Sequence, residues 1–255
     1  MLKHRVIPVV LLDGYSVLKT IQFKTRRNLG NPITVARIYN TRNIDELILL
    51  DIDASKQQRQ IDYFTIEDVA SECFMPLTVG GGLSSCSHIE NVLKRGADKV
   101  AINTAALKDP SFIREASAHF GAQCIVVSVD VIQSDGCYKI CSHSLGTVER
   151  ELLDWCKQIE GLGAGEIFLN SVDRDGMMNG YDTELIRQVS SVIKIPLISC
   201  GGAGKSADLA SAIQSGASAS AAASLFHFTK YTPEECRASM RAAGLPARTT
   251  ARKSA

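Results

Sequence analysis

Pro76-Leu77-Thr78-Val79-Gly80-Gly81-Gly82 recurs 120 residues further on as Pro196-Leu197-Ile198-Ser199-Cys200-Gly201-Gly202. The same offset carries Glu46, Leu49 and Asp53 onto Glu166, Leu169 and Asp173, and Arg95-Gly96-Ala97 onto Ser215-Gly216-Ala217. A register that holds this far from the glycines marks a chain of two similar halves. Short apolar runs lie near 6–11, 47–51, 77–79, 100–103, 125–130, 167–170, 197–200 and 219–223. Their lack of polar alternation suits strands buried on both faces of a parallel sheet. Amphipathic stretches fill the gaps at 34–43, 61–73, 88–94, 110–119, 149–162, 182–193, 207–215 and 233–243. Eight strands alternating with eight helices through right-handed crossovers predict one (β/α)8 (TIM) barrel over 1–247, made of two pseudosymmetric half-barrels. An open sheet would leave the repeat unexplained.

Composition agrees with one large domain. The chain has 255 residues, the usual size of such a barrel, and its 45% hydrophobic content contains no run near the ~20 apolar residues that span a bilayer. The N-terminus enters a strand without the apolar core of a secretory signal, which predicts a cytoplasmic location. A net charge of +1 gives no electrostatic reason to expect nucleic acid, and the stretch 248–255 reads as a short basic, flexible tail. The eight cysteines form no Cys-x-x-Cys, and Cys73, Cys124, Cys156 and Cys200 lie in apolar segments, so core thiols are expected. Cys137 and Cys141 flank Tyr138-Lys139-Ile140 in what reads as a small hairpin, and their separation along one extended strand is too long for an easy disulfide. The five histidines are scattered without ligand spacing, so neither a metal nor another cofactor is expected.

Reacting groups in such barrels sit at the C-terminal strand ends. Glycines there let backbone N–H groups approach an anion, and a following helix N-terminus adds a favourable dipole. Gly202, with Ala223 and Ser224 after the eighth barrel strand, occupies the usual phosphate position. The repeat places Gly82, Asn103 and Thr104 at the matching point of the other half. Two phosphate sites facing each other across the mouth would be spanned by a ligand phosphorylated at both ends. Asp130 ends the fifth barrel strand over the mouth, a position for general acid–base work, with loop anchoring as the alternative. Asp51 and Asp175 are further acid–base candidates ranked behind Asp130, since Asp53, Asp173 and Asp175 lie in turns where carboxylates commonly cap local N–H groups. The long loops 12–31 and 131–147 are candidate lids, and the first carries Lys19, Lys24, Arg26 and Arg27. At the opposite ends of the strands, Arg5, Glu46, Lys99 and Glu166 each precede an apolar run with alternating sign, which predicts ion pairs at the barrel floor.

Leu49-Leu50-Asp51-Ile52-Asp53-Ala54-Ser55, Thr78-Val79-Gly80-Gly81-Gly82, Gly96-Ala97-Asp98-Lys99-Val100, Ile102-Asn103-Thr104-Ala105-Ala106, Asp173-Arg174-Asp175-Gly176 and Gly201-Gly202-Ala203-Gly204 together resemble the cyclase subunit of imidazole glycerol phosphate synthase. The likeness runs from Arg5 to about Gly244. It implies a partner glutaminase on the N-terminal barrel face, whose ammonia crosses the barrel to a bisphosphorylated substrate at the mouth. It also implies that Arg5, Glu46, Lys99 and Glu166 are a charged gate and that Asp98 faces the glutaminase. Lys19 and Asp51 would contact substrate, Gly82, Asn103 and Thr104 would hold one phosphate, and Gly176, Gly202, Ala223 and Ser224 the other. The gate is expected as a closed ring of alternating charge that desolvates little and serves gating more than stability.

The departures are as informative. The family pairs two catalytic aspartates, on the first and fifth barrel strands. Asp130 is present, but the first-strand position is Leu11, and the repeat aligns Val10-Leu11 with Val129-Asp130 at an offset of 119. The threonine after the sixth strand is Asn170 here. With Lys19-Thr20 and Asn170-Ser171, this pattern resembles a branch that supplies ammonia for an acetamidino group on a bacterial surface-polysaccharide sugar. Three roles remain open: a working cyclase, an ammonia-conducting barrel serving a separate sugar amidotransferase, and a silent scaffold that activates the glutaminase. Asp13, two positions beyond Leu11, is the available substitute for the missing acid.

Overall fold

Every barrel strand is four to ten residues long and buried through most of its length, so the sheet needs cover on both faces. The computed structural model describes residues 3–249. Its strands are β1 (Arg5–Asp13), β2 (Ser16–Ile21), β3 (Thr25–Gly30), β4 (Leu47–Asp51), β5 (Leu77–Gly80), β6 (Lys99–Ile102), β7 (Ile125–Ser134), β8 (Cys137–Ser142), β9 (Gly146–Val148), β10 (Glu166–Ser171), β11 (Leu197–Cys200) and β12 (Ala219–Ala222). The parallel order β10-β11-β12-β1-β4-β5-β6-β7 is closed by β7 pairing with β10. The chain forms the closed eight-stranded (β/α)8 barrel that its repeat predicts.

Eight outer helices complete the coat: α1 (Pro32–Thr41), α2 (Tyr63–Ser71), α3 (Cys86–Lys94), α5 (Ser111–Phe120), α6 (Leu152–Gly161), α7 (Thr183–Ser190), α8 (Ser206–Gln214) and α10 (Pro233–Ala242). Their starts follow local chemistry. Asn31 accepts from Ile33 N at 2.8 Å ahead of Pro32, and Thr232 forms a capping box with Glu235. Strand alternation sorts the core into two layers. Ile7, Val9, Leu11, Ile48, Ala101, Val126, Phe168 and Ile198 fill the barrel, whereas Val6, Val10, Leu12, Leu49, Val127 and Leu169 face the helices.

The pseudosymmetry holds pair by pair. Thr78 pairs with Lys99 as Ile198 pairs with Ala219, and Leu47 with Leu77 as Ile167 with Leu197. Ile7 opposite Ala221 matches Val126 opposite Ala101. Two short helices missing from the sequence reading, α4 (Thr104–Lys108) and α9 (Ser224–Phe228), begin at symmetry-related residues. The loops 12–31 and 131–147 are also more regular than expected. Strand β1 runs on into an antiparallel ribbon with β2 and β3, and β7 into one with β8 and β9.

At the floor, Arg237 is fully buried and pairs with Asp45 at 3.3 Å, while Arg248 Nε reaches the same carboxylate at 2.8 Å. Arg248, read in sequence as the start of a flexible tail, is thus tied to the barrel; positions 250–255 lie outside the described residues. All eight cysteines are free, and Cys137 is exposed on its hairpin. No helix among the described residues is long and apolar enough to cross a membrane.

Candidate functional site

Glycine geometry builds the mouth. Gly81 and Gly201 have φ of 122° and 96°, and a Cβ on either would lie 2.4 Å from the carbonyl oxygen of Asp51 or Ser171. Only glycine lets these loops fold so closely over the neighbouring strand end. One large well of about 1040 Å³, counting its open mouth, is lined by Gly82, Asn103, Thr104, Asp51, Asp130, Asn170, Asp175 and Ala223 among others. A smaller recess of about 240 Å³ gathers Gly176, Gly202, Ala223 and Ser224. The residues assigned in sequence to two phosphate loops therefore do assemble at two matching positions. At the first, Thr104 Oγ1 lies 3.0 Å from Ser142 Oγ and 3.1 Å from Ser144 Oγ. The second ribbon thus contributes hydroxyls that the sequence reading missed.

Asp130 takes its hydrogen bonds from two amide side chains on the neighbouring strand ends. Asn103 Nδ2 donates to its Oδ2 at 2.7 Å and Asn170 Nδ2 to its Oδ1 at 3.4 Å. Burial pushes the carboxyl up to about 6, with the two asparagine donors pulling the other way and the nearby Asp175 adding to the rise. The folded protein therefore binds more protons than the unfolded chain between pH 4 and 6, so Asp130 lowers stability progressively as pH rises through that window. Replacing Asp130 with Asn removes this penalty. The stability difference between variant and wild type should move in the variant's favour by about 1.4 kcal/mol per pH unit across the window and level off above it. Urea denaturation at pH 4, 5, 6 and 7.5 reads it, and a pH-independent difference would contradict this placement.

The other predicted contacts are distributed differently. Lys19 is buried, with Nζ 3.4 Å from Asp175 Oδ1 and donating to the Thr20 carbonyl, and Thr20 Oγ1 donates to Asp175 Oδ2 at 2.6 Å. Its ammonium thus faces the carboxylate that borders both the well and the recess. Asp51 lines the well, but Arg59 and the N–H groups of Asp53 and Ala54 occupy its oxygens. Asp53 and Asp173, expected to cap local N–H groups, reach across to the ribbons instead. Arg26 forks onto Asp53, His143 Nε2 lies 3.5 Å from the same carboxylate, and Asp173 Oδ2 accepts from Gln133 N at 2.6 Å. These symmetry-related aspartates hold both ribbons against the mouth. Asp13 is turned toward Arg26 at 3.6 Å, with its carboxyl raised by burial and by Asp53. Leu11, by contrast, lines the well, 6% exposed.

The floor carries the ring expected from the alternating charges. Arg5 reaches Glu46 at 2.6 Å and Glu166 at 2.8 Å, and Lys99 reaches Glu46 at 3.2 Å and Glu166 at 3.0 Å. The expectation of little desolvation fails at one member. Glu46 is only 1% exposed and also accepts from Thr78 Oγ1 at 2.8 Å, because it lies one residue before β4, drawn into the barrel's lower end. Asp98 is exposed beside the ring and accepts from Leu77 N at 2.8 Å. Among the described residues, no group of three or more His, Cys, Asp or Glu side chains is placed to hold a metal.

Comparison with known proteins agrees with this geometry. The histidine biosynthesis protein family matches residues 5–232. Proteins named "Putative imidazole glycerol phosphate synthase subunit hisF2" are 46% identical in Campylobacter jejuni, over 97% of this chain and 99% of theirs, and 44% identical in Vibrio vulnificus, over 97% and 92%. The imidazole glycerol phosphate synthase subunit HisF of Thermobifida fusca is 42% identical over 96% of this chain and 98% of its own. The barrel, its paired glycine loops and these likenesses over nearly the whole length show that the chain belongs to the histidine biosynthesis family, as a HisF-type subunit of the imidazole glycerol phosphate synthase kind.

Proposed function

We propose that this chain is a cytoplasmic barrel subunit that accepts ammonia from a glutaminase docked on its N-terminal face and delivers it at the mouth for the synthesis of an acetamidino sugar of surface polysaccharide. The observation that carries the reading is a division of the molecule. The floor keeps a complete ring of Arg5, Glu46, Lys99 and Glu166, whereas the mouth has Leu11 where ring closure calls for a second carboxylate. A separate sugar amidotransferase would then use the ammonia.

A second reading, an active cyclase of histidine biosynthesis, draws on Asp130, whose carboxyl is tuned to about 6 and suits proton transfer near neutral pH. It also draws on two phosphate loops that a bisphosphorylated ligand would bridge. The gate and the docking face are common to both readings. Mixing the barrel with its cognate glutaminase should give a one-to-one complex by gel filtration at micromolar concentration and raise glutamine hydrolysis. The absence of both would remove the partner from either reading.

A further inference from the structure

The barrel's register sets two equivalent trios of strand-end residues against each other. On the neighbouring strands β6, β7 and β10 these are Asn103, Asp130 and Asn170; on β12, β1 and β4 the same positions hold Ala223, Leu11 and Leu50. Leu11 pairs with Leu50 as Asp130 pairs with Asn170, and Asn103 and Ala223 each immediately precede their symmetry-related short helices. All six residues line the well. One flank of the mouth is therefore polar and the other alkyl, extended by Leu18, which packs with Leu11.

The polar flank is rich in acceptors. An ionised carboxylate only accepts, so both amides must turn their NH2 groups to Asp130, and the carbonyl oxygens Asn103 Oδ1 and Asn170 Oδ1 are left buried without a hydrogen-bond partner. Asn170 is only 7% exposed. Buried acceptors of this kind are completed by a donor brought to them. The alkyl flank makes the opposite demand, since a hydroxyl set against Ala223, Leu11 and Leu50 loses water and gains no partner.

We propose that the mouth selects a phosphorylated ligand with two unlike sides: a cationic N–H group, of the ammonium or amidinium type, on Asn103, Asp130 and Asn170, and an apolar carbon segment on Ala223, Leu11 and Leu50. The glycine loops take the phosphoryl group, and Asn170 and Leu11 decide the selectivity. A chain bearing hydroxyls on both sides fits poorly. This deepens the delivery reading by naming the ligand chemistry. Its test uses the barrel alone, so failure here leaves the glutaminase experiment undisturbed.

Calorimetric titration at pH 8, with inorganic phosphate, butyl phosphate, 4-aminobutyl phosphate and ribose 5-phosphate as probes, decides the matter. Each buried CH2 is worth about fourfold, so butyl phosphate should bind at least ~10-fold tighter than inorganic phosphate. The charged N–H group should add a further ~10-fold or more, and ribose 5-phosphate should bind no tighter than butyl phosphate. Asn170→Leu should narrow the gap between the amino and plain butyl probes while butyl phosphate still binds. Leu11→Asn should cancel the advantage of butyl phosphate over inorganic phosphate. Because the two gaps are read within one protein sample, a general loss of binding does not imitate either result, and Asn170→Thr replaces Asn170→Leu should the latter not fold. Ribose 5-phosphate binding tighter than 4-aminobutyl phosphate, an unchanged gap in the Asn170 variant, or four equal affinities would overturn the proposal.

Discussion

With saturating ammonium salt in place of a glutaminase, the barrel should form imidazole glycerol phosphate ~10²–10⁴ more slowly than an ordinary family member, the usual loss when one positioned acid or base is absent. Leucine has no proton to exchange, and the surroundings of Leu11 offer no substitute. Its register neighbour is Leu50, its ribbon neighbour is Leu18, and both pack with it. Asp13, the nearest carboxylate along the strand, lies by Arg26 and Asp53 instead. The same arithmetic limits the rescue by Leu11→Asp. The new carboxyl would stand among alkyl groups, and burial would raise its pKa as it does that of Asp130. Product should therefore appear with Leu11→Asp, rise with pH, and remain below the rate of an ordinary member; Leu11→Asp combined with Leu50→Asn should recover more. Wild-type rates close to those of an ordinary family member would refute the delivery reading.

The framework was legible because its signals are local and doubled. Strand positions, the outer helices and both glycine loops follow from short apolar runs and an offset visible in the letters alone. The second ribbon was legible in part, as the hairpin around Tyr138-Lys139-Ile140 whose tip is the turn pair Asp135-Gly136; the first was not, because its β2–β3 tip lacks that signal. In the first, Gln22 and Phe23 adopt φ of 51° and 59° between β2 and β3, a turn that ordinarily draws Asn or Gly. Its cost is offset by tertiary contacts, Gln22 N to Asp175 O at 2.9 Å and Gln22 Nε2 to Asp173 O at 3.0 Å. Arg59 was invisible for a related reason, since nothing in a Gln-Gln-Arg-Gln stretch shows that a carboxylate eight residues earlier will be buried beneath it. The departure at Leu11 was plain in sequence, but its pairing with Leu50 needed the register, and that pairing turns one lost acid into an alkyl flank.

Removing the carboxylate of Glu46 should be the most damaging single change at the floor, costing about 3–5 kcal/mol in Glu46→Ala, the usual penalty for breaking a buried ion pair from one side. Glu46 is the hub, accepting from Arg5, Lys99 and Thr78, and its loss leaves two cations sharing Glu166 while Thr78 loses its acceptor. Lys99→Ala should cost far less, because Lys99 is 17% exposed and its loss leaves Glu46 still paired with Arg5; about 1 kcal/mol is the scale of a solvated pair. The contrast separates the two purposes of the ring. If Glu46 is a structural hub and Lys99 a movable bar, Lys99→Ala should leave urea denaturation nearly unchanged yet alter glutaminase stimulation, whereas Glu46→Ala should shift both. Equal small costs for the two variants would mean that water reaches the ring freely, and the floor would then lack the dry, closed entrance that controlled passage of ammonia requires.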